Sequence, residues 1–401
     1  MKSVEKKHRR FLAAMLALCL LLGLCPLAPS AQAEETTEPA TQSAVTNTTK
    51  ETAAEVNFNE EVRFELSASV QEQWFKVTTT KPCQTVAIEN LGEYGVSQES
   101  CRIQREDGKD IDTMLLDSNN GIAFYARKAA TYYLRYTIFG GGSDNGTVLS
   151  CAFKLQVYAN DAYEPNDSMA EAKDLDLGKD HAIIAVGYDE DWFKIETTKP
   201  GQLIQLVCSE KNRVFAKCYD ASGRELSGRL VSDSCISTGA PGTYYLCFQD
   251  FIRTSGGGLT LYDDPTLICV TLLDNDANEP NDTRENATML KSGEKVEFIL
   301  GAGDYDWFKI TTDKPGQDIA LTVSGYDYTN KGQTIGLTYE PGSNASNTAT
   351  SKGYANISGD STLYFHAAEA TNHYVALYLM GDIWKNGFPV CTRTLSVQIL
   401  D

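Results

Sequence analysis

The stretch DWFKIETTKPG at residues 191–201 decides the fold, because near-copies of it occur three times along the chain. The other copies are WFKVTTTKP at residues 74–82 and DWFKITTDKPG at residues 306–316. Their tryptophans lie 118 and 115 residues apart. Each copy alternates apolar and polar side chains and then meets a proline turn signal, which is typical of a β-strand that ends in a turn.

Further motifs recur at matched distances from these strands. Glu-Pro-Asn-Asp stands at residues 164–167 and 279–282, in both cases 28 residues from Glu to Trp. Thr-Tyr-Tyr-Leu at residues 131–134 and 243–246, and Thr-Leu-Tyr-Phe at residues 362–365, follow later in each unit. Repetition at a fixed period indicates homologous domains. We therefore predict three units, a divergent one at residues 57–160 and two similar ones at residues 161–275 and 276–401.

Short β-type runs separated by Gly and Pro turns fill each unit, and no long segment has a helical apolar period. The best helix candidate is residues 170–175, after the first Glu-Pro-Asn-Asp. Seven or eight strands in a unit of this size predict an all-β fold of three tandem antiparallel β-sandwich, jelly-roll-like domains. We expect the repeated tryptophans to be buried aromatic anchors.

The N-terminal segment has the pattern of an export signal. Residues 1–33 combine five basic residues, an apolar stretch and Ala31-Gln32-Ala33, which predicts a secretory signal peptide, with an uncleaved anchor as the alternative. Residues 34–56 hold seven Thr and no aromatic residue, so we expect a disordered linker. No second apolar span follows. The mature chain is predicted to be secreted or loosely attached to the cell surface, without a membrane span.

Charge excludes one class of partner. The full chain has a net charge of -19, and removal of the signal makes it -23. An acidic surface of this kind repels phosphate backbones, so we expect no nucleic acid as a partner.

The sequence offers no recognisable catalytic constellation. After the predicted signal it holds three histidines, His181, His366 and His373, none of them in a zinc-protease arrangement, and no G-x-S-x-G nucleophile motif occurs. We expect a protein that is not an enzyme.

Acidic residues recur around each repeat boundary and predict a metal. Carboxylate and amide oxygens from two short segments would suit calcium, which takes six to eight oxygen ligands. The alternative is that these residues only cap turns and face solvent. The predicted calcium ligands are Glu164, Asn166, Asp167, Asp189 and Asp191, and then Glu279, Asn281, Asp282, Asp304 and Asp306.

These motifs together resemble the bacterial pre-peptidase C-terminal domain, a family to which the collagen-binding domains of clostridial collagenases are also similar. The resemblance covers residues 161–401 well and residues 57–160 weakly. It implies a non-catalytic β-sandwich accessory domain of exported bacterial proteins, which binds calcium at the acidic turn in some members. The first unit departs from the family pattern, since Gln71-Glu72-Gln73 replaces Asp-x-Asp. A metal is therefore not expected there.

Trp384 and the cysteines complete the candidate features. Trp384 lies in a loop without a matching tryptophan in the other units and is the candidate ligand contact, with local packing as the favoured alternative. Nine cysteines follow the signal. Their spacing predicts that Cys101 approaches Cys151 and that Cys218 approaches Cys269, either as disulfides or as buried thiols.

The function predicted from the sequence is that of a secreted bacterial binding or accessory protein. Its expected partner is an extracellular protein or polysaccharide, and its expected cofactor is calcium. Two alternatives stay open: a secreted enzyme or peptidase-associated inhibitor with a site between domains, and a structural spacer at the cell surface.

Overall fold

The structure is a computed structural model, and it is built almost wholly of β-strands. It describes residues 47–93, 97–116, 121–138, 148–158, 160–210, 213–226, 229–250, 261, 264–326, 334–341, 353–380 and 391–401. These residues form six sheets, which pair into the predicted all-β sandwiches.

The first sandwich encloses one hydrophobic core between two five-stranded sheets. Its strands are β1 (Ala54–Glu55), β2 (Glu61–Leu66), β3 (Glu72–Thr78), β4 (Gln84–Asn90), β5 (Cys101–Arg105), β6 (Asp110–Ile111), β7 (Thr113–Leu115), β8 (Gly121–Ala126), β9 (Thr131–Thr137) and β10 (Leu149–Tyr158). One sheet has the order β1-β3-β9-β5-β6 and the other β2-β10-β4-β8-β7.

The second sandwich has two four-stranded sheets and its own core. Its strands are β11 (Lys173–Asp174), β12 (Asp180–Ile183), β13 (Asp191–Thr197), β14 (Leu203–Cys208), β15 (Val214–Asp220), β16 (Ser234–Ser237), β17 (Gly242–Asp250) and β18 (Thr266–Leu273). The sheet orders are β11-β13-β17-β15 and β12-β18-β14-β16.

The third sandwich repeats this connectivity with one added edge strand. Its strands are β19 (Thr288–Leu290), β20 (Lys295–Phe298), β21 (Tyr305–Thr311), β22 (Gln317–Ser324), β23 (Thr334–Pro341), β24 (Gly353–Ile357), β25 (Ser361–Ala367), β26 (Asn372–Met380) and β27 (Arg393–Leu400). The sheet orders are β19-β21-β26-β23-β24 and β20-β27-β22-β25.

Most strand pairs are antiparallel, and each sandwich has the same parallel exception. A short strand, β1, β11 or β19, lies parallel to the strand that carries the repeated Trp-Phe motif. The short strand continues from the segment that precedes it in each unit, so this pairing lays that segment along the edge of the sheet. The predicted helix at residues 170–175 is reduced to the 3-10 helix Met169–Glu171.

Alternation along the repeated strand decides which aromatic side chain enters the core. Phe75, Phe193 and Phe308 are each buried between the two sheets of their sandwich. Trp192 and Trp307 point to the opposite face of the same strands and are only half-buried. Successive side chains of a strand face opposite sides of the sheet, so both neighbours could not enter the core. The prediction of a buried tryptophan anchor is therefore wrong for these two residues, and phenylalanine takes that place.

Residues 47–56 belong to the first sandwich, although their composition predicts a linker. Asn47 is buried, its Nδ2 donates to the carbonyl of Trp74 at 3.0 Å, and its own carbonyl accepts from the Trp74 amide at 2.7 Å. Strand β1 then pairs with β3, with Ala54 opposite Phe75. The linker boundary at residue 56 is therefore wrong. This segment is ordered through its backbone pairing, which a composition rich in Thr does not reveal.

All nine described cysteines are free thiols. Cys101 and Cys151 are buried in one core beside Tyr136, but they lie on opposite sheets. No disulfide joins them, and each is a buried free thiol. Cys218 is fully buried and Cys269 is partly exposed. The disulfide alternative is therefore wrong, and the buried-thiol alternative describes most of these residues.

In the part of the chain that the structure describes, no helix combines the length and the apolar character needed to cross a bilayer. The predicted signal peptide and Trp384 lie outside the described residues.

Candidate functional site

The structure brings part of each predicted set of metal ligands together, two residues of the first set and three of the second. We call Glu164, Asn166, Asp167, Asp189 and Asp191 the first acidic cluster, and Glu279, Asn281, Asp282, Asp304 and Asp306 the second acidic cluster. In the first, the Trp192 amide donates to the Asn166 carbonyl at 2.9 Å, which ties the Glu-Pro-Asn-Asp turn to the start of β13. The Trp307 amide makes the same 2.9 Å bond to the Asn281 carbonyl at the start of β21.

A preceding aspartate shapes each turn. Asp161 accepts hydrogen bonds from the backbone amides of Tyr163 and Ile184, both at 2.8 Å. Asp276 accepts from the equivalent amides, those of Asn278 and Ile299, at the same distances. The two turns therefore have the same backbone arrangement, and their carboxylates are positioned alike.

The glutamate of each turn is held at both of its oxygens. Glu279 Oε2 accepts from the Asn281 amide at 3.1 Å, and Oε1 accepts from Asn275 Nδ2 at 2.7 Å. Glu164 receives the same pair of bonds, from the Asn166 amide at 3.1 Å and from Asn160 Nδ2 at 2.7 Å. These bonds fix the direction of the glutamate side chain before any ligand binds.

The aspartates before each repeated tryptophan are buried, which contradicts the alternative of solvent-facing turn residues. Asp191 and Asp306 are 0% exposed, and Asp189 and Asp304 are 2% and 1% exposed. Among the described residues, no carboxylate of either acidic cluster forms a salt bridge. A buried charge without a counter-charge is strongly unfavourable.

Several buried oxygens of the clusters have no hydrogen-bond partner. They are Asn166 Oδ1, Asp167 Oδ1, Asp191 Oδ2, Asn281 Oδ1, Asp304 Oδ1 and both carboxylate oxygens of Asp306. Leaving one such group unpaired costs about 1–3 kcal/mol, and more when it is charged. A bound cation would supply the missing partner, because carboxylate and amide oxygens are the ligands that calcium prefers.

Burial also raises the pKa of the cluster carboxyls. The pKa of Glu279 rises to about 7, first because of burial and then because of the nearby charge of Asp282. Burial likewise holds the pKa of Asp304 and Asp306 well above the usual range, with neighbouring acids adding to it. A divalent cation would oppose these shifts by stabilising the ionised forms.

The second acidic cluster contains a set of three converging carboxylates. Glu279, Asp282 and Asp304 each place an oxygen within 4.8 Å of the others'. Asp304 is fixed through its other side, because its Oδ2 accepts from the Gly301 amide at 3.0 Å. This donor set is entirely oxygen.

The first acidic cluster contains a different set of three, made of Cys83, Glu164 and Asp167, again with the ligand atoms within 4.8 Å of one another. The Cys83 thiol donates to Asp167 Oδ2 at 3.3 Å. Asp189 is turned to another partner, since Tyr125 donates its hydroxyl to Asp189 Oδ1 at 2.8 Å. Cys83 and Tyr125 both come from the first sandwich, so this cluster is shared by two sandwiches.

The first sandwich has neutral residues where the others have acidic ones. Gln73 stands directly before Trp74, in the place of Asp191 and Asp306, and it is buried. Its Nε2 donates to the Glu65 carbonyl at 2.8 Å. The side chain at this position is therefore a neutral, hydrogen-bonded amide in the first sandwich. In the other two sandwiches it is a buried carboxyl group without a counter-charge in the part of the chain that the structure describes.

A cleft of about 820 Å³ opens beside the first acidic cluster. Its walls include Tyr125 and Tyr132 of the first sandwich and Tyr188 of the second, together with four basic and four acidic side chains. Tyr125 and Tyr132 are themselves buried, whereas Arg127, which lies over the Tyr125 ring, and the other charged residues are largely exposed. This cleft has the size of a typical ligand site.

The three histidines have structural partners in the sandwiches. His181 shares hydrogen bonds with the Tyr163 hydroxyl at 2.7 Å and with the carbonyl of Asp176 at 2.8 Å. His373 shares a 2.7 Å bond with the Tyr339 hydroxyl. His366 lies on the surface.

Sequence reasoning missed Cys83 and Tyr125, which come from the preceding sandwich. A signal for Cys83 was present, because Lys81-Pro82-Cys83 aligns with Lys199-Pro200-Gly201 and a glycine is replaced by a thiol. Tyr125 has no such signal, since only the packing of the first sandwich on the second brings it to Asp189.

No family model matches the chain, and no curated protein matches it. Among solved structures, it is similar to the pre-peptidase C-terminal domain of collagenase from Bacillus anthracis, with 19% identity and a TM-score of 0.20, over 28% of this chain and 94% of that one. It is also similar to the plant receptor-like kinase ANX1, with 6% identity and a TM-score of 0.18 over 84% of each chain. A xanthan lyase of Paenibacillus matches at 9% identity and a TM-score of 0.16, over 85% of this chain and 34% of that one. Membership of the pre-peptidase C-terminal family stays a prediction.

Proposed function

We propose that this chain is a secreted, non-catalytic bacterial binding protein that holds an extracellular protein or polysaccharide in the cleft between its first and second sandwiches and is stabilised by bound cations. The observation that carries the proposal is the cleft itself, a cavity of about 820 Å³ with walls from two sandwiches. Its position beside the first acidic cluster connects ligand binding with cation binding.

The chemistry of the cleft suits a polar ligand. Buried tyrosines form part of the wall, and exposed side chains of both charges surround them. Ligand sites combine apolar and aromatic walls with a few polar groups that fix orientation. Equal numbers of basic and acidic groups favour a ligand without a large net charge, such as a sugar chain or a mixed-charge peptide.

Calcium is the cation that we propose for the second acidic cluster. The ligands would be Glu279, Asp282 and Asp304, with the buried oxygens of Asn281 and Asp306 beside them. The fit rests on the donor set, which is all oxygen, and on the buried oxygens that lack a hydrogen-bond donor. In the first acidic cluster, Glu164 and Asp167 of the predicted set converge with Cys83, so a cation there would have a different donor set.

The binding proposal is tested with immobilised polysaccharides, collagen and mucin, in calcium and in chelator. Arg127→Ala removes an exposed charge from the cleft wall, and Lys295→Ala removes one from the exposed surface of the third sandwich. We expect Arg127→Ala to weaken binding of the captured polymer about tenfold, the effect of a contact worth over 1 kcal/mol, and Lys295→Ala to leave it unchanged.

Two outcomes would contradict this proposal. Binding that is equally strong in both variants would place the ligand elsewhere on the chain. Failure of all of these polymers to bind would instead favour the surface-spacer alternative.

A further inference from the structure

We propose that Cys83 turns the first acidic cluster into a zinc-type site shared by the first and second sandwiches, whereas the second acidic cluster is a calcium-type site. This inference rests on the proposed binding of cations by the acidic clusters, and it is independent of the ligand in the cleft. It identifies the chemical class of cation at each cluster from the ligand atoms that the fold brings there.

A thiol converges with two carboxylates in the first acidic cluster. The ligand atoms of Cys83, Glu164 and Asp167 lie within 4.8 Å of one another. The Sγ of Cys83 is 3.3 Å from Asp167 Oδ2. Cys83 reaches the cluster from the turn that joins β3 to β4, whereas both acids lie between β10 and β11.

A second observation points to a missing ligand at this place. Asp167 is only 8% exposed, and the carboxylate whose Oδ2 meets the thiol has an Oδ1 with no hydrogen-bond partner. No salt bridge compensates this side chain among the residues that the structure describes. A cation seated between the thiol and the carboxylates would satisfy it.

The two clusters differ in their third ligand. In the second acidic cluster, the Asp304 carboxylate converges with Glu279 and Asp282. In the first, the equivalent Asp189 is held by the Tyr125 hydroxyl at 2.8 Å, and the sulfur of Cys83 makes up the set of three. One site therefore offers three oxygens and the other offers one sulfur and two oxygens.

The backbone of Cys83 is strained in a way that a glycine would avoid. Its φ is +57°, in the left-handed region, and the equivalent residues of the other sandwiches are Gly201 at +66° and Gly316 at +84°. L-residues are disfavoured there because Cβ crowds the backbone. Cys83 therefore places a thiol at this turn at a cost in backbone strain that Gly201 and Gly316 avoid.

The cation expected at each cluster follows from whether its ligand atoms are oxygen or sulfur. Calcium takes hard oxygen ligands, whereas zinc binds thiolate, imidazole and carboxylate and prefers four ligands. On binding, zinc forms a Zn–S bond with Cys83, and the thiol proton leaves to water. Glu164 and Asp167 supply two more ligands, and water completes the four.

The chelator-treated full chain is titrated with cadmium, which reports thiolate coordination through its ultraviolet sulfur-to-metal charge-transfer band, and with zinc by calorimetry. Cys83→Gly restores the residue that the turn prefers, and Cys83→Ser keeps the side-chain size. Cys269→Ser is the matched control, because it removes a partly exposed thiol of the second sandwich.

We expect the wild-type chain to develop the cadmium band up to one equivalent. The band should be absent in both Cys83 variants and intact in Cys269→Ser. Zinc affinity should fall by at least about tenfold in Cys83→Gly, which is the lower range for loss of a group that supports a metal. Circular dichroism of each variant should match that of the wild type.

No band in the wild type, or a band and zinc affinity unchanged in Cys83→Gly, would overturn the inference. Calcium titrations of the wild type and of Asp304→Asn test the calcium site of the second acidic cluster separately from the zinc-type site at Cys83. Calcium binding that depends on Asp304, without a cadmium band, would leave the calcium site standing and remove the zinc-type site. Binding of neither cation would remove both.

Discussion

The two carboxylate oxygens of Asp304 differ in their hydrogen-bond partners. Its Oδ2 accepts from the Gly301 amide at 3.0 Å and from Asn275 Nδ2 at 3.3 Å, whereas its buried Oδ1 has no partner. Two more carboxylates, those of Glu279 and Asp282, lie nearby. Without a cation, the ionised form of this side chain is destabilised by burial and by like charges.

Asp304→Asn should therefore stabilise the cation-free protein and abolish its response to calcium. The amide oxygen can keep both bonds of Oδ2, and the new NH₂ group can donate to a neighbouring carboxylate. Removing the unpaired group should raise the free energy of unfolding by about 1–3 kcal/mol in chelator. Chemical denaturation with chelator and with calcium measures both effects.

Asp313→Asn is the control for this experiment, because it makes the same charge change at an exposed position. It should leave stability within about 0.5 kcal/mol of the wild type, as surface substitutions usually do. Destabilisation by Asp304→Asn in chelator would show that the carboxylate is already satisfied within the protein.

The raised pKa values predict an unusual pH dependence. Folding raises the pKa of Glu279 from 4.5 to about 7, so the folded state binds more protons than the unfolded state between these values. The free energy of unfolding of the chelator-treated protein should therefore increase as the pH falls from about 8 to 6.5. Stopping at 6.5 limits the opposing effect of His373, whose pKa burial lowers, because most of that effect develops at lower pH. Urea denaturation across this range measures the slope, and a stability that falls instead would contradict the assignment.

At the scale of elements, each sandwich docks a leading segment onto the edge of its first sheet. The carbonyls of Asn47, Asn166 and Asn281 all accept a hydrogen bond from the amide of the repeated tryptophan, and a short parallel strand follows in each case. The first sandwich keeps this element without the acidic residues. Docking of the segment therefore does not require the acidic residues.

Asn47→Ala should destabilise the first sandwich, because it removes the bond from Nδ2 to the Trp74 carbonyl and leaves that buried carbonyl with fewer partners. The expected loss is about 0.5–1.5 kcal/mol, the typical net value of a hydrogen bond. Glu55→Ala is the control, since Glu55 is exposed in the same segment. Equal stability of the two variants in thermal unfolding would mean that residues 47–56 are not part of the folded unit.

At the scale of the whole molecule, both acidic clusters lie where one sandwich meets the next. The turn with Cys83 reaches the first cluster. The equivalent turn of the second sandwich reaches the second cluster, since a Cβ on Gly201 would lie 2.9 Å from the Glu279 carboxyl carbon. A cation at either place would therefore stabilise a junction as well as a turn.

Calcium should raise the midpoint of thermal unfolding of the full chain relative to chelator. A ligand that binds only the folded state stabilises it by about 2.7 kcal/mol at a concentration one hundred times its dissociation constant. Magnesium at the same concentration is the control for ionic strength, and it should have a smaller effect because it gives up its water reluctantly. An unchanged midpoint over millimolar calcium would contradict the calcium proposal.

The sequence by itself determined the all-β class, and it predicted three repeated units and the acidic residues around their boundaries. These features are local, because strand alternation follows a two-residue period and the Glu-Pro-Asn-Asp turn folds through bonds to its own neighbours. The sequence also predicted an acidic turn whose residues could lie on the surface or around a cation. It did not determine that Asp191 and Asp306 are buried.

The tertiary structure decided the rest. Cys83 meets Asp167 across 84 residues of chain, and Tyr125 meets Asp189 across 64, so neither contact has a local signal. The face of β13 that enters the core depends on the register between sheets, which placed Phe193 inside and Trp192 outside. The boundary of the first sandwich depends on backbone pairing with β3. Sequence patterns report what neighbours along the chain can do, whereas burial and ligand sets arise from packing between distant segments.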